Sequence, residues 1–158
     1  MSQARSVLRY WLPVVIWMAV IFSASGDSHS FQHSSRILAP LLRWLFPHLS
    51  DAAVDQLVTV ARKGAHLTEY AILAVLLVRA LRTLGEGDPR RWSWRQAWWA
   101  VLLVGLYAAS DEFHQIFVPT REASMRDVMI DTIGGIAGLL LFWAFGRWRN
   151  WWGDTGAG

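Results

Sequence analysis

Apolar residues along the chain gather into four runs, 10–22, 65–78, 97–109 and 133–146, separated by segments rich in Arg, Asp, Ser and Pro. Each run is shorter than the ~20 apolar residues that a helix needs to cross a bilayer, which by itself fits the buried helices of a soluble bundle. Each reaches span length once a polar turn is admitted at one end, which predicts helices at about 7–24, 63–82, 96–114 and 127–147. Between the first two, "RILAPLLRWLFPHL" sets Ile37, Leu38, Leu41, Leu42, Leu45 and Phe46 around Arg36, Arg43 and His48. That pattern predicts a short amphipathic helix in the headgroup plane, broken by Pro40 and Pro47, or a loop that caps the bundle. From Ser50, a candidate N-cap, no proline interrupts the chain as far as Leu81. An outer amphipathic helix is therefore expected to run into the second span, with Gly64 as the place for a bend. "GEGDPRR" at 85–91 reads as a polar turn, and "GDTGAG" at 153–158 as a disordered tail behind a single domain of 1–152.

Composition separates the membrane and soluble readings. The chain has 158 residues, 54% of them hydrophobic, 11 Trp and no Cys, with a mean hydropathy of +0.26. That is too apolar for an ordinary soluble domain. The absence of Cys excludes a disulfide framework, a thiolate metal site and a cysteine nucleophile. A formal charge of +3, placed in short clusters between apolar runs, gives no support for nucleic-acid binding. With the N-terminus in the cytoplasm, the inner segments hold nine cations (Arg5, Arg9, Arg79, Arg82, Arg90, Arg91, Arg95, Arg147, Arg149) against six outside (Arg36, Arg43, Arg62, Lys63, Arg121, Arg126). Trp11, Trp92, Trp94, Trp98, Trp99, Trp143, Trp148, Trp151 and Trp152 fall near the same inner boundary. Both biases fit a multi-pass protein of the cytoplasmic (inner) membrane with both termini inside. The expected fold is an all-α integral membrane four-helix bundle with an outer amphipathic helical segment between spans one and two. For the first run a cleaved signal peptide is the alternative, with Arg5 and Arg9 before it and "FSASG" after it; Trp and Pro inside it fit a retained helix better.

The polar turns carry the candidate chemistry. Lys63, His66, Glu69 and Tyr70 share one helix face at the outer end of the second span, and Tyr107, Asp111, His114 and Gln115 share one on the third. Glu112 is turned about 100° from Asp111 and need not point the same way. On the fourth helix Asp127, Asp131, Gly135 and Gly138 lie on one face, carboxylates outermost. "KGAHLTEYAIL", "SDEFHQIFVPTREASMRD" and "DTIGGIAG" together resemble the VanZ-like family of small membrane proteins, named after a teicoplanin-resistance protein. The resemblance covers about half of the chain, with "FSAS" at the end of the first span as a further match. It places Lys63, His66, Glu69, Tyr70, Asp111, Glu112, His114, Gln115, Pro119, Arg121, Ser124, Asp127 and Gly134 at the family's signature positions. Thr120 stands where Gly is expected, and Asp131 where the family often has Asn. The resemblance implies work at the cell envelope and imports no biochemical activity.

His66, Glu69, Asp111, Glu112 and His114 are the acid, base or imidazole-orienting candidates. Lys63, Arg121 and Arg126, with Tyr70, Gln115, Ser124 and Asp127, are candidates for binding an anionic, lipid-linked or cell-wall substrate. No cofactor is required by the sequence. A divalent metal held by His66, His114, Glu69 and Asp111 is chemically sensible, although His-x-x-Glu lacks the second spaced His of known zinc signatures. A structural reading stands beside each of these. Lys63, Glu69, Asp111 and Arg121 could form a salt-bridge clamp, and Asp127 and Asp131 could cap and compensate the fourth helix. Gly134 and Gly138 form a Gly-x-x-x-Gly packing pair. His29, His33 and His48 read as surface residues. An enzyme, a non-catalytic envelope factor and a proton-coupled transporter all remain open; the last would need polar groups continued through the midplane, where the spans hold Leu, Val, Ala and Trp. Membrane lipids are the expected partners, and the sequence leaves the oligomeric state undecided.

Overall fold

Two serines set where the longest helix and its neighbour begin. Ser50 accepts a hydrogen bond from the Ala53 amide at 3.3 Å, and Ser93 accepts one from the Gln96 amide at 3.4 Å. Each satisfies a first-turn N–H that no helical carbonyl can reach. The computed structural model describes residues 3–26, 30–84, 91–117 and 124–152. In them five helices follow one another: α1 (Gln3–Gly26), α2 (Ser30–Leu45), α3 (Asp51–Arg82), α4 (Trp94–Gln115) and α5 (Met125–Trp148). There is no strand among the described residues. The expected tail at 153–158, most of the expected turn at 85–91, and Arg121 with Pro119 and Thr120 lie outside them.

Among the described residues three helices are long and apolar enough to cross a membrane: α1 over Val7–Ser25, α3 and α5. The third expected span, α4, has 22 residues, but polar and aromatic residues at both ends dilute its apolar middle, and it is not among the three. The outer amphipathic helix and the second span form one continuous α3 of 32 residues, which passes Gly64 without interruption.

Proline did less to the helices than the sequence led us to expect. α2 continues through Pro40 and ends at Leu45, before Pro47, and α1 continues through Pro13. Proline removes one i→i−4 hydrogen bond and leaves the carbonyl four residues earlier without that donor. On α2 that carbonyl belongs to exposed Arg36, and Pro40 is itself exposed, so the outer face can hydrate the freed group.

α3 is the hub, packed against α1, α2, α4 and α5, and α5 lies closest to it. Glycine makes that approach possible. A Cβ on Gly134 would stand 2.7 Å from the Leu67 carbonyl oxygen, and one on Gly138 would stand 2.7 Å from the Ala71 Cα, Cβ and oxygen. Gly135 instead faces α4, where a Cβ would meet Val104 at 2.9 Å. Gly134 and Gly138 therefore seat α5 on α3 while Gly135 seats it on α4. Around this contact the core is apolar: Tyr70, Leu73, Ala74, Leu77 and Val78 from α3, Ala100, Val104 and Ala108 from α4, and Val14 and Ile21 from α1.

Candidate functional site

The polar residues of α3, α4 and α5 are separated by rotation about each helix as well as by depth. Glu112 and Gln115 turn from α4 into a cavity of about 160 Å³, which α3 lines with Thr59, Arg62, Lys63 and His66 and α5 with Asp127, Ile130 and Asp131. Two of its three carboxylates are deeply set, Glu112 at 7% exposed and Asp131 at 5%, while Asp127 is half-buried and Lys63 is exposed. Glu112 accepts the Ser124 amide at 2.8 Å, which ties α4 to the start of α5. Asp131 makes no hydrogen bond or ion pair to another described residue. It faces Glu112, Asp111, Asp127 and Glu69 within electrostatic reach.

One position along α4, and about 100° around it, Asp111 turns to α1. It accepts the Ser25 hydroxyl and, at 3.3 Å, a Gln115 side-chain N–H. Ser25 is 1% exposed and Asp111 2%, so this contact is as buried as the apolar core. The Tyr107 hydroxyl donates to the Met18 carbonyl at 2.6 Å, and the Trp17 indole donates to the Glu69 carbonyl at 2.9 Å. The three bonds fasten α1 to α3 and α4. His114 also turns to α1, its ring 4.2 Å from that of Phe22, and its buried Nδ1 has no hydrogen-bond partner among the described residues. Tyr70 is wholly buried beside Tyr107, and its hydroxyl also has no hydrogen-bond partner among the described residues.

The candidate residues thus divide into two groups. Lys63, His66, Glu112, Gln115 and Asp127 meet around the cavity. Asp111 and His114 face the α1 side, with Tyr70 packed beside Tyr107, and Gln115 belongs to both groups because it lines the cavity and bonds to Asp111. Glu69 lies beside His66, at 3.6 Å between Oε2 and Nδ1, without lining the cavity. Arg126 is exposed and does not line it either. Ser124 contributes its backbone amide, and its side chain makes no cap hydrogen bond. His66 and His114 do not converge. Among the described residues no group of three or more His, Asp or Glu side chains is placed to hold a metal, so the set His66, His114, Glu69 and Asp111 does not form one. The clamp through Asp111 is made by hydrogen bonds, and Lys63 makes no ion pair among the described residues.

Arg62, Thr59 and Asp131 complete the cavity and were not among the site candidates drawn from sequence. A helical signal for two of them was present, because Thr59, Arg62, Lys63 and His66 are spaced i, i+3, i+4 and i+7. Ser25, the last polar residue of "FSAS", carried only the weak signal of a hydroxyl ending an apolar run.

Comparison with curated proteins and with solved structures finds no match. The family model described as VanZ/LLP1 matches residues 10–146. That stretch includes all three apolar helices' cores, the cavity residues and the Ser25–Asp111 contact, and the chain belongs to the VanZ-like family.

Proposed function

We propose that the protein is a multi-pass membrane protein whose cavity between α3, α4 and α5 binds, and acts by acid–base chemistry on, the polar group of an anionic envelope or lipid-linked component. The observation that carries this reading is Asp131, a carboxylate 5% exposed that opens onto a cavity shared with Glu112 and has no partner among the described residues. A buried polar group without a partner costs about 1–3 kcal/mol, and more where it is charged, so a side chain kept in that state points to a ligand or a proton it serves. Arg62, Lys63 and His66 across the cavity supply donors for a phosphate or carboxylate. A space of about 160 Å³ admits a phosphate-sized group and leaves the remainder of a lipid-linked molecule outside. Glu112 and Asp131 would exchange protons with that group, and His66, beside Glu69, would take or return one.

The one-sidedness of the site favours this reading over a transporter. Immediately inward the helices close on Gly134, Gly135 and Gly138, and the core beyond is apolar. In the orientation that the Arg and Trp distribution favours, the cavity faces the extracytoplasmic side and α4 is a fourth span. Asp111, with Ser25 and Gln115, holds α1 in place in this reading.

Expression in a susceptible bacterium tests it. The parent should shift sensitivity to teicoplanin or to another envelope-directed agent, and Glu112→Gln and Asp131→Asn should abolish the shift at unchanged membrane abundance and detergent stability. Variants that keep the phenotype at equal abundance would remove the cavity from the mechanism. A parent without any envelope phenotype would remove the glycopeptide connection.

A further inference from the structure

At the opposite end of the bundle a second pocket is built from different chemistry. α5 ends in a turn in which Asn150 adopts φ 53°. The Asn150 amide donates to the Arg147 carbonyl at 3.1 Å and the Trp151 amide to the Gly146 carbonyl at 2.8 Å. This is the paired closure that stops a helix at a left-handed residue, where Asn is tolerated better than other side-chain-bearing types. The turn folds Trp152 back along α5. Gly146 leaves no room for a Cβ beneath its ring, and its indole N–H donates to the Trp143 carbonyl at 3.1 Å.

The returned ring fixes a cation. The Arg82 guanidinium lies 4.5 Å from the Trp152 centroid, and its Nη2 donates to the Arg91 carbonyl at 3.1 Å. One helical turn earlier on α3, Arg79 is exposed. With Tyr10 of α1, Thr83, Phe142 and Trp151, these residues line an open depression of about 580 Å³.

We propose that this cup binds the phosphate of an anionic glycerophospholipid. Two arginines one turn apart present forked N–H donors to phosphate oxygens, and the aromatic walls cover the glycerol that follows. Basic pockets between membrane helices suit this class of ligand, and the Arg82–Trp152 stack arranges the guanidinium before a lipid arrives. The volume accommodates a headgroup and the first carbons of its chains. This site shares no residue with the carboxylate cavity and does not depend on the function proposed for it.

The test is native mass spectrometry of the full chain released from micelles doped with dioleoyl phosphatidylglycerol or with phosphatidylcholine of the same chains. The parent should retain phosphatidylglycerol and release phosphatidylcholine. Arg79→Gln and Arg82→Gln should each weaken phosphatidylglycerol retention about tenfold, the loss expected for a charge-assisted hydrogen bond. Arg95→Gln, on α4 and outside the cup, should leave retention unchanged. Arg79 is exposed, so its variant reports on binding even if Arg82→Gln disturbs folding. Equal retention of the two lipids, retention undiminished in Arg79→Gln, or an equal loss in Arg95→Gln would overturn the proposal. Displacement of the lipid by inorganic phosphate at equal concentration would assign the cup to a soluble anion and overturn it as a lipid site.

Discussion

Replacing Gly138 by Ala adds a single carbon where there is no space for it. The new Cβ would lie 2.7 Å from three atoms of Ala71, two of them backbone. Ordinary carbon contacts lie at about 3.5–4.0 Å, so α5 must retreat from α3 by roughly 1 Å, because backbone cannot rotate aside. Gly134, one turn away on the same face, touches the Leu67 backbone just as closely and loses its contact in the same movement. A gap of ~0.5–1 Å forfeits a quarter to a half of each contact's attraction, and overpacking of a tight interface costs typically ~1–3 kcal/mol. Gly64 is the internal control, since a Cβ there meets nothing within 4 Å. Gly64→Ala should stabilise the helix by up to about 1 kcal/mol, as expected for an unobstructed Gly-to-Ala change inside a helix. The two substitutions are chemically identical and should diverge by about 2–4 kcal/mol. Thermal unfolding in detergent, followed by monodisperse recovery on a sizing column, measures the difference. If Gly138→Ala is as stable as Gly64→Ala, the close approach of α3 and α5 described above is wrong.

Three further outcomes follow from the site. Ser25→Ala should cost about 1–3 kcal/mol in the same unfolding assay, because it removes a hydrogen bond from a buried carboxylate, and Ser23→Ala, on an exposed hydroxyl, should cost little. His66→Asn should remove the envelope phenotype at normal abundance, whereas His114→Asn should act through folded yield, since its ring packs on Phe22; equal activity per folded molecule for His66→Asn would refute its role in the cavity. Cysteines replacing Ala52 and Asn150, both exposed, should differ in intact cells, the first labelling with an impermeant thiol reagent and the second only after lysis. The reverse pattern would place the cavity in the cytoplasm.

The helices were legible because long apolar runs and Ser caps act locally. Ser50 was readable as an N-cap and Gly134–Gly138 as a packing pair from spacing alone. Membership in the family was legible in "KGAHLTEY" and "SDEFHQ", and the match covers residues 10–146. The division of those motifs was harder to foresee. Asp111 and Glu112 are neighbours in sequence, and their separation depends on which partner helix stands on which side of α4, a tertiary fact that one helix's periodicity does not contain. His114 fell on the Asp111 side for the same reason. Pro40 misled because the penalty for proline depends on whether water reaches the freed carbonyl, and exposure was not in the sequence pattern. The Arg82–Trp152 stack needed a reversal of the chain at Asn150 that a non-glycine residue signals only faintly.

With α3 spanning the bilayer as proposed, its length ties the position of the cavity to the thickness of the membrane. Its 32 residues make a rod of about 48 Å at ~1.5 Å per residue, against a hydrocarbon layer of ~30 Å. In the proposed membrane orientation roughly a third of the rod stands clear of the lipid tails, and Thr59, Arg62, Lys63 and His66, in the first half of α3, lie towards that end. With no proline in α3 to absorb a mismatch, a thicker or thinner membrane is met by tilting the whole rod, which carries those side chains towards or away from the headgroups. In that orientation lipid composition sets how far the mouth of the cavity stands above the bilayer.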